Sequence, residues 1–131
     1  MGAEQFVNIS LGRTIEEAYS KAVTEALYWH GHGGYTGTIA EKGGFVYAGV
    51  VNSLHVDRLE EYFTMADSQR VSKIPPSIKP VIMAHLKTYH DKWGPAVAFE
   101  VTGKRKKEIK ESMGRAGTRD KVFVFLGWAS S

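Results

Sequence analysis

The stretch WHGHGGYTGT, residues 29–38, concentrates two histidines, four glycines, a tryptophan and a tyrosine in ten positions. Imidazoles titrate near neutral pH and ligate metals, so His30 and His32 could act as an acid/base couple or as two metal ligands. Two ligands do not close a zinc site, and His55, His85 and His90 would complete one only if the fold gathered them. The sequence therefore calls for no metal and no cofactor. A ligand pocket is the other chemistry available, with Trp29 and Tyr35 stacking on a ring and Thr36 and Thr38 donating hydrogen bonds around the two histidines. A phosphate-binding glycine loop is excluded by order, because such loops precede a helix and these glycines follow one. Gly31 reads more simply as a helix cap at positive φ, with Gly33 and Gly34 as turn residues.

The second chemically dense stretch is GKRKKEIK. Lys104, Arg105, Lys106 and Lys107 are consecutive cations, Lys110 lies one helical turn on, and Arg115 and Arg119 follow. Several mobile cations on one surface neutralise phosphates, so this segment points to nucleic acid or an acidic protein. No aromatic residue is interleaved, and base stacking would have to come from Tyr89 or Trp93. Residues 1–65 hold four Lys/Arg against eight Asp/Glu, whereas residues 66–131 hold thirteen against six. That asymmetry raises the expectation of a basic surface within a net charge of +3.

Other signatures are missing. HVDRLEE carries His55, Asp57, Glu60 and Glu61 without the spacing of a helical zinc motif, and no nucleophile elbow, Walker loop or dinucleotide fingerprint occurs. This favours a binding protein over an enzyme. The absence of Cys removes thiol chemistry and disulfides and is compatible with a reducing compartment. No apolar run approaches the roughly 20 residues of a membrane helix, and MGAEQFVNIS lacks the basic-then-apolar order of a secretory leader, so a cytoplasmic location and no membrane partner are expected.

These residues need a scaffold, and the hydrophobic pattern supplies one. FVNISL alternates as a half-buried strand, and TIEEAYSKAVTEALYW follows with helical spacing and Thr14 and Glu17 placed as a capping box. TGTIAEKGGFVYAGV reads as a hairpin about Gly43-Gly44. NSLHVDRLEEYFTMADSQ reads as a helix capped by Asn52 and Ser53. A third helix is expected from Pro80 to Trp93, with Val81, Ile82, His85, Leu86 and Tyr89 on one face and Gly94 as a left-handed cap. AVAFEV reads as a strand, KRKKEIKESMG as a short basic helix or loop, and KVFVFLGWAS, apolar on both faces, as a central strand. The expected fold is α+β, one compact domain over residues 1–131. It would hold about five strands in a mixed or antiparallel sheet packed with three to four helices.

YTGTIAEKGGFV, KWGPAVAFEV and KVFVFLGWASS together resemble a family of small uncharacterised proteins of bacteriophage type. The resemblance spans the chain from the first helix to the last strand and implies a small accessory protein in the cytoplasm of a bacterial host. It carries no activity or residue role. The leading expectation is a protein that binds an anionic partner through its basic C-terminal half. A small-molecule or hydrolytic pocket at His30–Thr38 is the alternative. A protein–protein module, including a homo-oligomer, is the third.

Overall fold

A computed structural model describes residues 2–131. Among these, four strands form one mixed sheet: β1 (Ala3–Gly12), β2 (Phe45–Val51), β3 (Ala96–Val101) and β4 (Lys121–Ser130), in the order β1-β4-β3-β2. β4 runs antiparallel to both of its neighbours, while β2 and β3 are parallel. Helices α1 (Ile15–His30), α2 (Leu59–Ala66), α3 (Lys79–His90) and α4 (Lys104–Ser112) complete the fold.

Because strand side chains alternate, the sheet feeds two separate cores. Phe6, Ala96, Ala98, Phe123, Phe125 and Ala129 face α1, which meets them with Ala18, Ala22 and Ala26. Three alanines one turn apart let the helix lie close to the strands, and the Ser10 hydroxyl donates to the Ala18 carbonyl at 2.7 Å. Tyr19, Phe45 and Phe125 close this layer, with ring centroids 5.1 to 5.8 Å apart. Val97, Phe99, Val101, Val122, Val124 and Leu126 face the other way, onto α2, α3 and Ile109 of α4. There Phe63 stacks on Tyr89 at 4.3 Å.

The α+β class and the central, doubly covered β4 agree with the sequence pattern; the strand count is four rather than five. The expected hairpin does not form. Residues Ile39–Glu41 make a single 3-10 turn whose end is capped by Thr38, and β2 crosses over through α2 and α3 to pair in parallel with β3. The second helix starts at Leu59 rather than at Asn52 and Ser53, because Asn52 Oδ1 accepts from Leu54 N in a local turn and Ser53 serves α4. α3 ends at His90, where the Asp91 carboxylate accepts from Trp93 N at 3.0 Å. Gly94 has no positive φ and is not its cap, whereas Gly31 at φ 81° does end α1. Thr14 accepts from Glu17 N as the helix cap, but the Glu17 carboxylate pairs with Lys21 at 3.1 Å instead of completing a capping box.

Candidate functional site

The 29–38 corner is divided by the fold. Trp29, His30 and Thr38 line an open groove of about 300 Å³ along β1, floored by Phe6 and Asn8. Tyr35 lies elsewhere, edge-to-face with Trp93 at 6.3 Å. The hydroxyl of Thr36 donates to the Glu41 carboxylate at 2.8 Å, and that of Thr38 accepts from Ala40 N. Glu41 accepts two further bonds, from Tyr35 N and Thr36 N, and this grip holds Tyr35 at φ 55°. Burial pushes the Glu41 carboxyl up, but its three hydrogen bonds from Thr36 and Tyr35 outweigh this and hold it below its usual range. The threonines are thus spent on shaping the loop. His30 and His32 are exposed, with no hydrogen-bond partner among the described residues.

The remaining histidines are dispersed. His85 Nδ1 meets the Val81 carbonyl at 3.0 Å, and His90 stands 3.8 Å from Asp67. Among the described residues, no three His, Asp or Glu side chains gather as metal ligands.

His55 forms a chain that the sequence did not reveal, since its partners are 7 and 22 residues away. Nδ1 lies 3.0 Å from the Tyr62 hydroxyl and Nε2 lies 3.1 Å from Ser77 Oγ. Such a hydroxyl–imidazole–hydroxyl line has the outline of an activated serine. The Tyr62 ring is 1 % exposed, and both ring nitrogens of His55 are taken up by hydroxyls of this chain. The chain is a strut joining the start of α2 to the start of α3.

The basic segment folds as α4. Gly103 precedes it at φ 80°, and Ser53 Oγ accepts from Arg105 N at 2.8 Å, capping the helix from the far end of β2. Ile109 anchors the helix in the core. Two of the seven expected cations are held in ion pairs: Arg105 with Asp57 at 3.0 Å and Arg115 with Asp120 at 2.8 Å. Lys110 Nζ donates to the Thr118 carbonyl at 2.6 Å. Lys104, Lys106, Lys107 and Arg119 have no side-chain acceptor among the described residues. Lys106, Lys107, Lys110 and Glu111 line a recess of about 210 Å³ between α4 and the loop at Ala116 and Gly117. The aromatic residues expected to help are absent from it. Tyr89 is buried, its hydroxyl accepting from Gln5 Nε2 at 2.8 Å. Trp93 lies before the opposite end of β3, about 20 Å along the strand at 3.3 Å per residue.

No family model, curated protein or solved structure matches the chain. The bacteriophage-type resemblance gains no support there. None of the described helices is long and apolar enough to cross a membrane.

Proposed function

We propose that the protein binds the phosphate backbone of nucleic acid through α4 and the loop after it. The observation supporting this is the recess lined by Lys106, Lys107 and Lys110, with Glu111 as its one acid and Lys104 on the same helix. Lysine ammonium groups on flexible stems act as point charges suited to phosphate, and the planar guanidinium on α4, that of Arg105, is already engaged by Asp57. The reading is therefore one of sequence-independent contact. Arg105 and Arg115 are excluded from the contact set, because Asp57 and Asp120 already neutralise them.

Fluorescence anisotropy with labelled single- and double-stranded DNA and RNA tests this. Three to four phosphate contacts give a slope of log affinity against log salt of about −2 to −4, at roughly −0.7 to −0.9 per contact. The triple variant Lys104→Glu, Lys106→Glu, Lys107→Glu should lose binding to all sequences alike. Its folding should be intact, because exposed charges contribute little and an acid in the first turn of α4 suits the helix dipole. Wild-type protein that binds no nucleic acid at about 50 mM salt, where such contacts are strong, overturns the proposal. Binding of polyglutamate instead would make an acidic protein the partner.

A further inference from the structure

The outer edge of β1 is ten residues long and carries few of the devices that keep strand edges apart. Among the described residues it pairs with β4 alone, through ten rungs in unbroken register. It contains no proline, no lysine and no bulge, which are the usual protections of an exposed edge. The opposite edge is different: β2 is seven residues long and its register slips between Tyr47 and Gly49, the latter at φ 126°.

The ladder fixes which backbone groups of β1 are unspent. Gly2 and Ser131 exchange both backbone bonds, at 3.3 and 3.1 Å. Antiparallel rungs alternate between bonded and non-bonded pairs. The even positions of β1 therefore turn their N–H and C=O groups to β4, and Ala3, Gln5, Val7, Ile9 and Leu11 turn theirs outward. Two side chains on that outward set are apolar and exposed, Val7 at 44 % and Ile9 at 36 %.

We infer that β1 is the dimer interface of the protein, pairing antiparallel with β1 of a second copy about a two-fold axis at Asn8 and joining two sheets into one of eight strands. This register sets odd positions opposite odd positions, the only arrangement in which both edges offer unspent groups. Val7 then faces Ile9 of the second copy and Ile9 faces its Val7, so four exposed apolar side chains cover one another. Glu4 faces Gly12 and Gln5 faces Leu11, and no like charges meet. On the other face Asn8 stands opposite its own copy, where amide side chains can bond to each other.

Charge on α1 fits the same axis. Glu25 lines the β1 groove beside Val7 and Asn8, and Lys21, half-exposed and paired with Glu17 of its own chain, lies one turn earlier on the same side of the helix. Two α1 helices running antiparallel across the axis bring Lys21 of each toward Glu25 of the other. Trp29, 70 % exposed, stands on that rim. A standard interface buries about 800 Å² per partner, roughly a tenth of this chain's 7252 Å² surface. The isologous contact also closes, so the edge is consumed and no fibre grows.

Sedimentation and light scattering of the full chain test the proposal. The expected species is a dimer of about twice 14.5 kDa. The double variant Val7→Lys, Ile9→Lys should be monomeric with unchanged far-UV circular dichroism. Lys21→Glu and Glu25→Lys should each weaken the dimer about tenfold, and the two together should restore it. Because the chain has no cysteine, Asn8→Cys should oxidise to a covalent dimer. A second probe tolerates failure of the lysine variant to fold: Val7→Pro removes an outward N–H and leaves the β4 ladder intact. A protein that is monomeric at about 100 µM overturns the inference. A dimer that neither the β1 variants nor the charge swap affects places the contact elsewhere and overturns it equally.

Discussion

Tyr35, the one non-glycine residue at positive φ among the described residues, depends on one carboxylate. Left-handed backbone at a bulky residue costs of order 1–3 kcal/mol and persists where the surroundings impose it. Here Glu41 imposes it, through bonds to Tyr35 N, Thr36 N and Thr36 Oγ1. Because these bonds hold the folded carboxyl below its usual range, their contribution is present above about pH 4.3, the unfolded value, and is lost as pH falls through the lower folded value. Glu41→Gln should therefore destabilise most above about pH 5, with the difference from wild type shrinking toward pH 3. Urea midpoints measured across that range decide it, and curves that stay parallel would remove Glu41 from the loop's support. Glu61 and Asp120 are also held low, by Arg58 and Arg115, but both are present in either protein and cancel. Gly31 was legible as a cap. That the threonines would turn inward to Glu41 was not, because nothing local distinguishes a hydroxyl that shapes a loop from one that awaits a ligand.

Two helices are bounded by glycines with nearly the same backbone and different surroundings. Gly31 ends α1 at φ 81°, ψ −179°, and Gly103 starts α4 at φ 80°, ψ −158°. Both conformations are costly for any other residue, so Ala at either site should destabilise by about 1–3 kcal/mol. A Cβ at Gly31 would meet nothing within 4 Å, but at Gly103 it would lie 2.8 Å from Ser53 Oγ. Moving Ser53 forfeits its bond to Arg105 N, a cap worth about 1 kcal/mol. Gly103→Ala should thus cost about 1 kcal/mol more than Gly31→Ala in denaturant unfolding. Equal costs would show that Ser53 does not support α4. The basic run was legible as a short helix or a loop, with Ile109 as its anchor, and the structure makes it a helix. Its cap was not, since Ser53 lies 52 positions away from Arg105 and reads locally as the start of α2.

At the scale of the molecule, β4 belongs to both layers. Phe123 and Phe125 serve the α1 core while Val122, Val124 and Leu126 serve the α2/α3 core. Losing the fully buried Phe125 should cost about 3–5 kcal/mol, a large part of the 5–15 kcal/mol that holds a domain together. Because one strand carries both cores, Phe125→Ala should weaken them together. Circular dichroism and tryptophan fluorescence, to which Trp128 on the α2/α3 side contributes beside the exposed Trp29 and Trp93, should report one coincident transition. Separate midpoints would mean that the layers melt independently. Charge behaves in the same distributed way. The acidic and basic halves of the chain interleave, and Asp57 from the first neutralises Arg105 from the second, so the +7 balance of residues 66–131 does not become one uniform face.

By itself the sequence determined what period and local chemistry can carry. That covers the α+β class, α1 with its apolar face, the doubly buried β4 and the Gly31 cap, because each is written within a few residues by spacing and side-chain size. Only the tertiary structure decided the rest. Whether FVYAGV pairs with its neighbour or crosses over to β3 depends on non-local backbone bonds, which leave no mark in a seven-residue window. Which cations are spent, which hydroxyl His55 meets, and which edge of the sheet stays open are likewise set by contacts between residues tens of positions apart. A side chain's type fixes the bonds it can make, and only the fold fixes which partner is within reach.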